Sequence, residues 1–308
     1  METVDKPVLG PPRDLIGYGP TPPRVRWPED AYVAVNIVVN YEEGSEASFP
    51  AGDGENEHHG GEENYPFPPG VRNLAQESTF EYGSRAGIWR LLRIFREMEV
   101  PCTLFACAVA FELNPEVARI ARADGHDLLS HGWRWLEHWK LDRDTERDYM
   151  HRAITSFERT WGERPRAWYC RYGPSVHTRD LVVEEGGFLY DSDAYNDDLP
   201  YFTQVNGKPH LVIPYSLTYN DLQGTMSPVD LADYLHRGLD ELWLEGEAGQ
   251  PKMMSVGLHP RIVGQAGRAS VIREFIEHAK RKGKVWFARR TDIAQWWLDH
   301  HAEFDSAN

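Results

Sequence analysis

The feature that most constrains this chain is an alternation of short apolar runs with stretches at helical spacing. Residues 32–39 read as a buried strand, because Val33, Val35, Ile37, Val38 and Val39 form a β-branched run. Ile88, Leu91, Leu92, Phe95 and Met98 then fall at helical spacing, and residues 102–109 read as the next strand. Asn114 and Pro115 suit a helix start and Gly125 suits its stop. Further strands are expected at 126–130, 167–171, 211–215, 252–258 and 285–287. Helices are expected around Met150 to Trp161, over 179–185, after Ser227-Pro228, around Val271 to Ala279, and over 293–298. Such alternation predicts a parallel α/β architecture in one domain spanning 1–308. About seven units favour a distorted (β/α)7 barrel over an open sheet, and functional groups then gather where strands end.

Two segments stand outside this rhythm. Residues 1–30 are Pro-rich and read as an extended arm. Residues 45–82 hold abundant Gly, Glu, His and Pro with little periodicity. A loop of that length inside a compact domain is functional or disordered. Tyr65, Phe67, Phe80 and Tyr82 supply aromatic anchors, which favours an active-site loop.

Charge and cysteine content narrow the partners. The 33 basic and 48 acidic residues leave a net charge of −15, which argues against nucleic acid. Cys102, Cys107 and Cys170 do not make a disulfide framework or a zinc knuckle, so a reducing cytoplasmic location is expected. No apolar stretch has signal-peptide or membrane-spanning length.

Polar residues collect at the expected strand ends. The first strand runs into Asn40-Tyr41-Glu42-Glu43-Gly44, and a later one into Ser130-His131-Gly132-Trp133-Arg134-Trp135. Others run into Arg171-Tyr172-Gly173-Pro174 and Gly257-Leu258-His259-Pro260-Arg261, with an Asp-rich segment at 190–200 between them. Singly, each has an ordinary reading as solvated charge, hydrogen-bonded histidine or turn. Together they would lie at one end of one barrel.

These motifs, with Arg13 to Gly19, Glu81 to Gly87, Glu184 to Phe188 and Asp197 to Tyr201, resemble the polysaccharide deacetylase superfamily. Within it they look most like the branch of metal-independent allantoinases and cyclic imide hydrolases. The resemblance covers nearly the whole chain. By position, Glu42 matches the family's general base, Glu43 its metal-ligand aspartate and His131 the first ligand histidine. Trp135 stands where the second ligand histidine is found, and tryptophan cannot bind zinc. A hydrolytic zinc site normally has three protein ligands, so no metal cofactor is expected. If a metal is held, Glu43 and His131 are its ligands, with a further ligand such as His58 or His59 from the loop.

The resemblance implies an amidohydrolase opening a small cyclic amide, ureide or imide. Glu42 is the candidate base and His259 the acid for the leaving nitrogen, although the leucine usual two residues before that histidine is replaced by Gly257. His131 would polarise the carbonyl or hold the water. Arg171 would stabilise the oxyanion, and Asp193 would orient a histidine or the arginine. Glu43, Tyr41, Trp133 and Trp135 are candidate substrate-binding residues, the aromatics being either flat walls for a planar ring or core. The alternative is a zinc-dependent deacetylase of an N-acetyl sugar in carbohydrate metabolism. The expected partners are a small-molecule substrate and further copies of the chain, as a homotetramer or dimer, with no nucleic acid and no membrane.

Overall fold

The computed structural model describes residues 10–61, 67–221 and 226–304. Tyr65, expected as a loop anchor, and the first residues of the arm lie outside them. The strands are β1 (Val33–Tyr41), β2 (Thr103–Ala106), β3 (Asp127–Ser130), β4 (Ala167–Trp168), β5 (Tyr190–Asp191), β6 (Tyr201–Val205), β7 (Lys208–Val212), β8 (Lys252–Leu258) and β9 (Val285–Phe287). Their order is β6-β7-β5-β4-β3-β2-β1-β8, and all neighbours are parallel except the β6–β7 hairpin. The sheet curls into a half-barrel whose parallel lanes are β1, β2, β3, β4, β5, β7 and β8. This is the distorted (β/α)7 barrel expected from the alternation.

The lanes differ in detail from the expectation. Tyr190–Asp191 is a strand, although its sequence reads as a polar turn; two residues are too few to show a period. Val285–Phe287 is not a lane of its own, since it pairs with Val33, Ala34 and Val35 beside the start of β1. The strand expected over 102–109 stops at Ala106, and Ala108–Leu113 forms a short helix, α2 below. Apolar runs this short do not separate strand from buried helix.

The helices are α1 (Leu74–Glu97, continuous through a π-turn at Gly83–Gly87), α2 (Ala108–Leu113), α3 (Pro115–Ala123), α4 (Arg143–Thr160), α5 (Thr178–Glu185), α6 (Pro228–Glu247), α7 (Ala266–Lys282) and α8 (Arg290–His300). So the final stretch of the 45–82 loop is helical, and Phe80 is buried on α1 rather than anchoring a coil. Ser227 and Asp142 cap α6 and α4 by accepting backbone N–H bonds. Asn114 precedes α3 without capping it, and its amide nitrogen donates to the Ser84 hydroxyl.

Strand periodicity sorts β1 into two faces. Val33, Val35, Ile37, Val39 and Tyr41 pack in the layer under the helices. Ala34 and Val38 join the second, interior cluster, with Phe105, Leu129, Tyr169, Ile213 and Met253. Asn36, Asn40 and Glu42 continue that interior face. Trp27 and Trp297 cover its other end, Trp27 donating to the Lys252 carbonyl.

Among the described residues β7 and β8 do not pair as strands; an isolated bridge from Asn220 to Gly257 joins the segment beyond β7 to β8. Arg290, fully buried, staples this seam from inside. It donates to Ser192, Asn36 and Ser255 side chains and to the Ile213 and Pro214 carbonyls. All five acceptors are uncharged, and burial lowers the Arg290 pKa to about 10. Arg290→Ala strips those acceptors of their donor and is expected to cost at least about 3 kcal/mol in urea denaturation. A loss below about 1 kcal/mol would show that the seam does not depend on it.

Candidate active site

Parallel strands bring Glu42, His131 and His259 together because each is the first residue beyond its strand, β1, β3 and β8. Glu42 is 1% exposed and His131 and His259 are each 2% exposed, so each meets the others rather than water. Glu42 Oε1 lies 3.1 Å from His131 Nε2 and 3.6 Å from His259 Nε2. Glu42 Oε2 accepts from Arg261 Nη2 at 2.7 Å. Burial works against the Glu42 charge, but Arg261, His259 and His131 outweigh it and hold the carboxyl well below the usual range.

Each histidine is oriented from behind. His131 Nδ1 donates to the Tyr169 carbonyl at 3.1 Å, and its ring stacks on Tyr169 with centroids 4.9 Å apart. His259 Nδ1 lies 2.5 Å from Asp221 Oδ1. Asp221 Oδ2 also accepts from the backbone N–H groups of His259 and Val263. Burial disfavours the His259 imidazolium, but Asp221 and Glu42 outweigh it and push the pKa up to about 9. Gly257 makes this possible: a Cβ there would lie 1.9 Å from the Tyr215 hydroxyl and 2.9 Å from the Asn220 amide. The departure from leucine at this position therefore admits the segment that carries Asp221.

Arg261 and Asp221 were not assigned roles from sequence. Arg261 lies two residues beyond His259, a visible signal. Asp221 follows no strand, so its place depends on the seam. Arg261 is fully buried, with its Cζ 4.4 Å from the Phe80 centroid and 5.1 Å from that of Trp135. Its Nε donates to the Gly60 carbonyl, and its Nη1, 3.5 Å from Glu43 Oε1, makes no hydrogen bond.

Other expected site residues fall elsewhere. Arg171 is spent on the loop: Nη1 and Nη2 donate to Glu57 at 2.6 and 2.8 Å, and Nη1 also donates to the Trp135 carbonyl. Its guanidinium lies over Trp135, 3.8 Å from the centroid. Trp135 is thus buried between two arginines. Tyr41 is core rather than a pocket wall, since its register turns it toward Phe111 and its hydroxyl to Ser84. Trp133 lines a surface cleft with Glu112 and residues of α4. Asp193 accepts from the Cys170 N–H, and burial together with Asp191 pushes its pKa up. Arg134 pairs with Asp53, so three arginines hold the 46–61 loop across the strand ends.

The donor set does not fit a zinc ion. Glu43 Oε2 accepts from the Glu42 N–H, and its other oxygen packs against Gly83, where a Cβ would lie 2.3 Å away. Burial, opposed by Arg261 and aided by Glu42, pushes its pKa up to about 7. His131 Nε2 faces Glu42, and the third position is the Trp135 ring. Among the described residues, His138, Glu146 and Cys170 form a separate buried cluster with metal-binding atom types. There Glu146 already bonds His138, Ser175 and Thr178.

The family model for polysaccharide deacetylase matches residues 75–189. A putative polysaccharide deacetylase of Schizosaccharomyces pombe is 36% identical over 313 residues, covering 94% of this chain and 98% of that one. The crystal structure of a probable polysaccharide deacetylase from Pseudomonas aeruginosa PAO1 is 48% identical with a TM-score of 0.90, covering 94% of this chain and 99% of that chain. PuuE allantoinase is 47% identical with a TM-score of 0.90, covering 94% and 98% of the two chains.

The His259 arrangement has a direct readout. In nitrogen NMR of labelled protein, His259 is expected to stay doubly protonated until about pH 9, and Asp221→Asn is expected to lower that midpoint by at least about one unit. An unchanged midpoint would contradict the pairing.

Proposed function

The chain belongs to the polysaccharide deacetylase family of hydrolases, and within it we propose that this protein opens a small cyclic amide, ureide or imide with water. The observation that carries this reading is the buried Glu42 between two histidines and an arginine, at a site whose donor set does not suit zinc. The likeness to PuuE allantoinase supports it, since allantoin is a cyclic ureide. A ring C–N bond suits such a site because the leaving nitrogen stays tethered and the carbonyl is flanked by electron-withdrawing groups.

Glu42 takes one proton from a water bound beside it, and the water oxygen bonds to the ring carbonyl carbon. The resulting tetrahedral oxyanion collapses, the C–N bond breaks, and His259 gives its proton to the departing nitrogen. Glu42 then returns the captured proton to His259 across their 3.6 Å contact. The new carboxyl group leaves its proton to solvent, so one water is consumed per ring opened. Glu42 is a weak base while its cations are turned wholly to it. Charge developing on the substrate draws on the same cations, so the basicity of Glu42 rises as the reaction proceeds.

The test is hydrolysis of allantoin, hydantoin, succinimide, glutarimide and an N-acetylglucosamine oligomer, each with and without chelator. Chelator-resistant opening of a ring is the expected result; chelator-sensitive acetate release from the sugar alone would refute the reading. Glu42→Gln is expected to lower kcat/KM on the ring by about 10³-fold. The pH profile follows from the two protonation states. Glu42 must be ionised and is held well below 4.5, so no acid limb arises from it near neutrality. His259 must carry its proton, so kcat/KM falls as pH rises through about 9.

A further inference from the structure

Resting on the ring-opening reading, we infer that Arg261 is a further catalytic residue: its guanidinium supplies the cation of this site, holding Glu42 with Nη2 and offering Nη1 to the carbonyl oxygen under attack. The geometry leaves one nitrogen of that group without a hydrogen bond. Its Nη2 is committed to Glu42 at 2.7 Å and its Nε to the Gly60 carbonyl. Phe80 and Trp135 cover it as aromatic neighbours. Nη1 remains without a hydrogen-bond partner in a residue that is 0% exposed. Buried donors are nearly always satisfied, and an orphan marks a place where a further partner is received.

The facing atom does not satisfy this donor. Glu43 Oε1, 3.5 Å from Nη1, is also buried without a hydrogen bond. A carbonyl oxygen accepting from Nη1 puts the reacting carbon beside Glu42, because Nη1 and Nη2 belong to one planar fork. The base and the oxyanion donor are then held at a fixed separation by a single side chain. Arg171, expected from the sequence to take this role, has both terminal nitrogens on Glu57. Arg261 also ties the 46–61 loop to the base through the Gly60 carbonyl.

The experiment uses the full chain with allantoin and hydantoin as probes. Arg261→Ala is expected to fold, by near-ultraviolet circular dichroism, and to lose about 10³-fold in kcat. Methylguanidinium is expected to restore about tenfold of that loss, whereas equal sodium chloride restores none, as for a donor missing from an otherwise intact site. Arg261→Lys, which keeps a charge without the fork, is expected to lose about 10²-fold in kcat. It carries the test if the alanine variant does not fold. Wild-type kcat in Arg261→Lys, or an alanine variant that folds and is not rescued, would overturn the inference while leaving ring opening intact. A wild-type chain that opens neither these nor the other rings refutes the functional reading, and the inference falls with it.

Discussion

The site is organised by one buried carboxylate and the hydrogen-bonding and cationic side chains turned to it. Glu42 keeps its charge out of water because Arg261, His259 and His131 all face it. A buried carboxylate without such partners would take up a proton and lose its use as a base. Removing any of the three therefore changes the chemistry of the others. Asp221 extends the chain of opposite charges by one step, so that acid and base alternate from Asp221 through His259 to Glu42 and Arg261.

The barrel supplies this arrangement through its topology and its one irregularity. Parallel strands set Glu42, His131 and His259 at equivalent positions just past their ends, which fixes them on a rigid frame. The seam between β7 and β8 is where regular pairing gives out. There Gly257 leaves room for Tyr215 and Asn220, and the next residue, Asp221, reaches His259. Arg290 holds the same seam below the site with uncharged acceptors. This gap in the sheet is thus closed by side chains as well as by the isolated bridge, and it carries Asp221, the partner of His259.

Much of this was legible in the residues. β8 and β9 fall where the apolar runs put them, and long helices with caps, such as the one opened by Ser227 and Pro228, are read from local rules. Glu42, His131 and His259 were legible as a group because strand ends in a parallel sheet share one face. The rest depended on contacts distant in sequence. Tyr190–Asp191 is too short to show alternation, and Asp221 lies in a segment whose place is set by Gly257. Arg261 was visible beside His259, but nothing local distinguishes it from Arg171. Their assignment turns on Glu57, which occupies Arg171 from a loop more than a hundred residues away in sequence. Trp135 shows the limit from the other side: its inability to bind metal is plain from its chemistry, whereas its burial between two guanidinium groups is not.

Ring opening as proposed requires the carbonyl of a cyclic substrate to meet Arg261 next to Glu42. The most direct measurement is a crystal structure of the Glu42→Gln protein soaked with an unreacted ring such as hydantoin. The carbonyl oxygen is expected within hydrogen-bonding distance of Arg261 Nη1, with the ring carbon facing residue 42 and a ring nitrogen toward His259. A ring held by Arg171 with Arg261 untouched, or a metal ion ligated by Glu43 and His131, would contradict it.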